Sequence, residues 1–151
     1  MYNGLSDRLR QTVNGNQTNY ALDLNNDLAQ VLSDGGNTYL YGLDRIAQQN
    51  IVGRQYYLGD ALGSVRQLTN AVGSVTLARS YEPFGKLLST AGNPLTRYGY
   101  TGEWTDPTSL VYLRARYYDP ATGRFLSKDP YIGMITLPIT LDPYCSFAKI
   151  R

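Results

Sequence analysis

The residues best suited to bind a ligand are one tryptophan and the acid beside it. Trp104 is the chain's one tryptophan, and Glu103 directly precedes it. An aromatic ring next to a carboxylate can hold a sugar by stacking and hydrogen bonding. The same ring can instead anchor one β-hairpin on the next, and we favour that packing role.

A second group of candidates lies in the segment Val111–Tyr118. Its residue types alternate, which predicts one β-strand with two different faces. Val111, Leu113, Ala115 and Tyr117 form the apolar face, and Tyr112, Arg114, Arg116 and Tyr118 form the other. Tyrosine and arginine can stack across strands and pair with carboxylates. The candidate binding residues are therefore Trp104, Tyr112, Tyr118, Arg114 and Arg116.

Other classes of chemistry are excluded by what the chain lacks. Histidine is absent, which excludes Ser-His-Asp and Cys-His catalysis and histidine metal sites. Cys145 is the one cysteine, so there is no internal disulfide or zinc knuckle, and we expect it to be an apolar filler. We expect no cofactor and no metal.

The charge and hydropathy of the chain limit the classes of partner that it is expected to bind. The net charge is +2, with scattered Lys and Arg residues, which argues against nucleic acid. No apolar run approaches the ~20 residues of a membrane helix. No signal peptide is visible after Met1.

Four short strings repeat along the first half of the chain. They are Arg8–Gln11, Asp27–Gln30, Arg45–Gln48 and Ser64–Gln67, whose aliphatic residues fall at 9, 28, 46 and 65. Looser copies follow at Lys86–Ser89 and Arg124–Ser127. A tyrosine precedes most copies, namely Tyr2, Tyr20, Tyr39, Tyr57, Tyr81 and Tyr118. A spacing of 18 or 19 residues suits two strands and two turns.

Turn residues separate the predicted strands. Asn14-Gly15 suits a tight hairpin turn between Arg8–Val13 and Thr18–Leu22. Further turns are predicted at Asp34–Asn37, Asn70–Ser74 and Ala121–Gly123. No helical period persists for ten residues. We therefore predict an all-β fold in which repeated antiparallel hairpins form a continuous coiled sheet, with little or no helix.

Four later motifs resemble a known family. Tyr56–Thr69 is similar to the start of the Rhs-associated core, Tyr81–Leu87 to its next signature, and Tyr98–Glu103 to the third. Tyr112–Pro130 resembles the last and most specific signature, and the earlier units resemble YD repeats. The chain is thus identified as a member of the Rhs/YD-repeat family.

The resemblance implies a large exported bacterial protein whose repeats wind into a hollow shell. The shell holds a C-terminal toxin used in competition between bacteria or in attack on a host. In many members the core domain plugs the shell and cuts off the toxin with an aspartyl-protease-like pair of carboxylates. Asp129 matches the first aspartate of that pair. Asp142-Pro143 lacks the Gly-Leu of the family's cleavage motif, so we expect a turn-forming Asp129 and no enzyme activity.

The expected organisation follows the motifs. Residues 1–55 are YD-repeat hairpins, 56–130 the Rhs-associated core, and 131–151 a truncated linker or tail with no toxin domain. We expect a fragment or truncated copy that serves as a structural shell or plug segment. Its expected partners are neighbouring YD repeats of a longer chain or a toxin domain. Two alternatives stay open: a module that binds cell-surface carbohydrate through Tyr and Trp, and a self-cleaving core. The resemblance implies a secreted or cell-surface location.

Overall fold

The computed structural model describes residues 1–4, 7–25, 29–93, 96–114, 116–128 and 144. Its strands are β1 (Arg10–Val13), β2 (Asn16–Asn19), β3 (Ala21–Asp23), β4 (Gln30–Ser33), β5 (Thr38–Tyr41), β6 (Arg45–Asn50), β7 (Gly53–Gly59), β8 (Val65–Asn70), β9 (Val75–Tyr81), β10 (Leu87–Gly92), β11 (Trp104–Thr105), β12 (Val111–Leu113), β13 (Arg116–Asp119) and β14 (Arg124–Phe125). The described residues add one 3-10 turn, Tyr100–Gly102. The all-β prediction is confirmed.

Eight consecutive strands, β3 to β10, form one antiparallel sheet in chain order, which we call the wall. β1 and β2 pair separately, and β11 to β14 form a third sheet, so the predicted continuous sheet covers the eight wall strands. The predicted boundary at residues 55 and 56 falls within β7 and stays a prediction.

Asparagine and aspartate side chains set the wall's turns. The Asn70 Oδ1 accepts hydrogen bonds from the backbone N–H groups of Val72 at 3.1 Å and Ser74 at 2.9 Å. Asp34 receives the N–H groups of Gly36 and Asn37 at 2.9 and 2.7 Å. Short acceptor side chains stabilise such turns by mimicking a backbone carbonyl. The predicted turns at Asp34–Asn37 and Asn70–Ser74 are confirmed.

The tight turn at Asn14-Gly15 is also confirmed. Both residues have positive φ, 50° and 79°, and Val13 pairs with Asn16 across them. Asparagine and glycine tolerate this left-handed backbone best. The strand bounds differ from the prediction. β1 begins at Arg10 instead of Arg8, and Tyr20 separates β2 from β3 within the predicted strand Thr18–Leu22.

The prediction of one strand over Val111–Tyr118 is wrong. The segment folds into the hairpin β12–β13, in which Val111 pairs with Tyr118 and Tyr112 with Tyr117. Arg114 has φ 58°, a left-handed conformation that permits a tight reversal but is uncommon outside glycine. The predicted faces change accordingly, since Tyr112 now shares a face with Tyr117 and Val111 with Tyr118.

Two apolar clusters form the core. The first lies between the wall and the third sheet and contains Tyr20, Tyr39, Val65, Leu68, Leu77, Tyr98, Trp104 and Tyr112. The second contains Tyr100, Val111, Tyr118 and Phe125. Repeat tyrosines thus supply much of the interior, while Ile46 of the repeat string is exposed. Each aromatic side chain buries about 150–250 Å², so the tyrosines contribute strongly to the buried surface.

Candidate functional site

The third sheet and the strand-free segment before it lie against the wall, and we call residues 96–114 and 116–125 the core hairpins. Their first contacts are made by Arg79 of β9, which donates to the carbonyl oxygens of Tyr98 at 2.9 Å and Thr96 at 3.0 Å. The Tyr57 hydroxyl hydrogen-bonds with the Thr96 hydroxyl at 2.8 Å. The incoming backbone is therefore satisfied by wall side chains, as buried polar groups require.

Arg45 holds the next part of the core hairpins. Its Nη1 donates to the Gly102 carbonyl at 2.8 Å, and its Cζ lies 3.1 Å from the Tyr98 ring centroid. Three more rings, of Tyr39, Tyr41 and Tyr57, have centroids 5.4 to 5.7 Å away. A guanidinium among aromatic faces gains cation–π energy of about 0.5–2 kcal/mol per desolvated contact.

Burial among these rings also raises the pKa of two tyrosine hydroxyls. Burial raises the pKa of Tyr98 far above its ordinary value, although the Arg45 charge opposes the shift. The pKa of Tyr57 is raised for the same first reason. Both hydroxyls therefore stay neutral at physiological pH, so Arg45 faces neutral rings rather than phenolates.

Arg8 makes the third contact, a buried ion pair. Its Nη1 lies 3.3 Å from the Asp106 Oδ1, with side chains only 6% and 8% exposed. The same nitrogen donates to the Tyr117 hydroxyl at 3.3 Å, and the Cζ lies 4.0 Å from the Tyr112 ring centroid. Gln11 adds a donation to Asp106 at 3.1 Å. The charge of Asp106 is thus compensated by groups from the amino-terminal hairpin.

Three of the contacts with the core hairpins come from the same position of the repeat. Arg8, Arg45 and Ser64 each occupy the first position of a repeat string. Ser64 accepts a hydrogen bond from the Thr101 N–H at 3.1 Å, so the first residues of three of the four closely similar strings contact the core hairpins. The fourth, Asp27, lies outside the described residues.

The sequence-predicted binding residues lie mainly inside this interface. Trp104 and Tyr112 are buried, and the Trp104 ring meets Tyr20 and Tyr98 edge-on at 5.6 and 5.3 Å between centroids. Tyr118 is buried too, and donates to the Phe84 carbonyl at 2.8 Å. These positions favour the packing role, while sugar binding stays a prediction.

The two candidate arginines are separated in the structure. Arg114 pairs with Glu103 at 3.1 Å, and the Arg116 guanidinium lies over the Phe125 ring at 3.5 Å. Burial raises the pKa of Glu103 above its ordinary value, and the charges of Arg114 and Arg45 oppose that rise. Arg114 and Arg116 thus contact different partners within the core hairpins, and a binding role for either stays a prediction.

Asp129 lies outside the described residues, as do Asp142 and Cys145. The Tyr144 carbonyl accepts a hydrogen bond from the Phe125 N–H at 3.1 Å, which places that residue beside β14. Among the described ranges, no group of three or more Cys, Asp or Glu side chains could hold a metal ion. Nor does that part of the chain contain a helix long and apolar enough to span a membrane.

Two cavities border the core hairpins. A cavity of about 620 Å³ lies between the end of the wall and the third sheet, with Arg79, Lys86 and Asp119 among its lining residues. A smaller one of about 50 Å³ lies beside Trp104, Arg8 and Arg45.

Comparisons with known proteins agree on the kind of molecule. The family model described as Teneurin YD-shell matches residues 33–146. A tRNA3(Ser)-specific nuclease, WapA of Bacillus spizizenii, is 34% identical over 144 residues, covering 87% of this chain and 6% of the nuclease. The double-stranded DNA deaminase toxin A of Burkholderia cenocepacia is 33% identical over 81 residues, covering 50% of this chain and 6% of that toxin.

The fold is also found in a solved complex. The crystal structure of TcdB2-TccC3 matches with a TM-score of 0.68 at 22% identity, covering 95% of this chain and 8% of that one. The chain therefore spans under a tenth of the length of these relatives.

Proposed function

Because the chain belongs to the Teneurin YD-shell family, we propose that it is a structural shell segment of an Rhs-type polymorphic toxin protein. In this proposal β3 to β10 form part of the shell wall, and the core hairpins close over its inner face as a plug. The larger protein encloses a C-terminal toxin and presents it in competition between bacteria or in attack on a host.

One observation carries the proposal: in three of the four closely similar repeat strings, the first residue contacts the core hairpins. Arg8, Arg45 and Ser64 come from successive parts of the chain, yet all reach the same overlying segment. The core hairpins are therefore held at three separate places along the repeats, as a cover lying on a wall would be. No comparable convergence of catalytic groups accompanies it among the described residues.

The relatives support a toxin context without defining this chain's cargo. Two of them are named as a nuclease and a deaminase toxin, activities that belong to those much longer proteins. We propose that this segment carries neither activity, and that its partners are neighbouring YD repeats and a toxin domain. A secreted location follows from the same proposal.

A segment exchange tests the wall-and-plug role. The matching 144 residues of the Bacillus spizizenii relative are replaced by this chain, and the exported product is treated with protease. We expect its C-terminal domain to resist digestion as in the parent protein. Replacing Arg45 with Met should shorten the digestion half-life, because the core hairpins lose the guanidinium that binds the Gly102 carbonyl.

The matched control is Arg54→Met. Arg54 lies exposed on β7, so removing its charge leaves the interface intact. Equal protection with Arg45→Met and with Arg54→Met would refute a plug held by wall arginines. Rapid digestion of the unmutated exchange protein would refute the shell role itself.

The carbohydrate alternative has a direct test. Glycan-array binding that disappears in Trp104→Ala but persists in Arg54→Met would favour a sugar-binding module. We expect no glycan binding, because Trp104 is buried against Tyr20 and Tyr98.

A further inference from the structure

The small cavity beside Trp104 holds two buried polar groups without a hydrogen-bond partner. They are the Trp104 Nε1 and the Tyr98 hydroxyl, and both residues line the cavity. Trp104 is 7% exposed and Tyr98 2% exposed, so bulk water does not reach these atoms. Leaving a buried donor unsatisfied is costly, so such a pair calls for an acceptor inside the cavity.

The surrounding charges indicate which acceptor fits. The lining includes Arg8, Arg45 and Arg114. Arg8 is paired with Asp106 and Arg114 with Glu103. Among the described residues, no carboxylate oxygen lies within 4 Å of an Arg45 nitrogen. The Glu103 carboxylate interacts with Arg45 at longer range and is paired with Arg114.

The remaining lining favours an anion over a neutral ligand. Guanidinium, indole N–H and phenol O–H groups all donate, and the indole and guanidinium groups cannot accept. The carboxylates of Asp7 and Glu103 also line the cavity, and their negative charge disfavours a multiply charged anion.

The size excludes large ligands. The cavity measures about 50 Å³, and one water molecule needs about 10–15 Å³ on the same measure. It therefore accommodates a halide or an ion such as nitrate, but not a sugar or a nucleotide. We propose that this cavity binds a small monovalent inorganic anion between Arg45, Trp104 and Tyr98, and that the anion strengthens the docking of the core hairpins.

Trp104 makes the test direct, because it is the chain's one fluorescent indole. Sodium bromide is titrated at constant ionic strength with sodium gluconate as the balancing salt. Bound bromide quenches a neighbouring indole, so we expect a saturable loss of emission that sodium chloride reverses. Acrylamide, which is neutral and too large for the cavity, should quench weakly and without saturation.

Two variants locate the site. Tyr98→Phe keeps the ring and removes the donor, and should raise the half-saturating bromide concentration about tenfold, as expected for one hydrogen bond to a charged group. Tyr56→Phe is the control, because Tyr56 lies on β7 outside the cavity lining. It should leave the titration unchanged.

The urea midpoint of the full chain gives a second measurement. A bound anion stabilises the folded state, so the midpoint should rise with bromide and level off at the concentration where quenching saturates. Linear, unsaturable quenching, or a midpoint equal in bromide and gluconate, would overturn the proposal and leave water as the occupant. Equal effects of Tyr98→Phe and Tyr56→Phe would overturn the assignment to this cavity.

Discussion

Replacing Arg8 with Met should destabilise the fold far more than removing an exposed arginine. The Arg8 side chain is 6% exposed and that of Asp106 8%, so the substitution leaves a carboxylate buried without its cation. Breaking a buried pair in this way costs about 3–5 kcal/mol. Gln11 still donates to Asp106 at 3.1 Å, which compensates part of the charge and places the expected loss near the lower figure, about 3 kcal/mol.

The cation–π contact adds to the loss. The Arg8 Cζ lies 4.0 Å from the Tyr112 ring centroid, and a desolvated contact of this kind is worth up to about 2 kcal/mol. Met keeps much of the side-chain volume, so little of the effect comes from a cavity. We therefore expect a loss of about 3–5 kcal/mol in the free energy of unfolding.

Urea unfolding followed by Trp104 emission measures this loss at the interface itself, since Arg8 lies 5.8 Å from the Trp104 ring. The control is Arg66→Met, whose partner Asp60 lies 3.9 Å away and whose side chain is 41% exposed. Exposed pairs contribute about 0–1 kcal/mol. Losses for Arg8→Met and Arg66→Met within about 0.5 kcal/mol of each other would refute the buried-pair reasoning.

Three further outcomes are expected. Burial raises the pKa of Glu103, so the folded state retains this proton at higher pH than the unfolded state does. The free energy of unfolding should therefore fall as pH rises from the ordinary carboxyl pKa through the raised one. Glu103→Gln should remove that fall from urea denaturation curves measured across this pH range, and a fall as large as in the unmutated chain would contradict the reasoning. Gly85→Ala should lower the free energy of unfolding by about 1–3 kcal/mol more than Gly73→Ala does, as measured by urea denaturation. Both glycines have positive φ, but a Cβ at Gly85 overlaps the Tyr100 ring whereas one at Gly73 meets nothing within 4 Å. The purified chain should keep its full mass of 16.8 kDa during incubation, and an Asp129-dependent smaller band would show self-cleavage instead.

The sequence predicted the turns well because their chemistry is local. Asp34 and Asn70 bind backbone groups within four residues, so the residue types alone carry the information. The Val111–Tyr118 segment had no such signal. Its reversal depends on Arg114 adopting φ 58°, a conformation that alternating residue types do not indicate.

The docking contacts could be predicted only in part. The repeat strings place Arg8 and Arg45 at one equivalent position, so their equivalence was visible in the spacing, although no docking role was predicted from it. Their partners were not, because Asp106 lies 98 residues from Arg8 and Gly102 lies 57 residues from Arg45. Only the packing of the core hairpins on the wall brings these groups together.

Arg45 and Arg79 bind the core hairpins mainly through main-chain carbonyl oxygens, those of Gly102, Tyr98 and Thr96. Every residue carries such an oxygen, so these bonds depend on the path of the backbone and not on its side chains. A substitution that keeps the backbone path therefore leaves these three hydrogen bonds in place, while the ring of Tyr98 and the hydroxyl of Thr96 make separate contacts with Arg45 and Tyr57. At these three contacts the two wall arginines thus bind the conformation of the covering layer and not its side-chain composition.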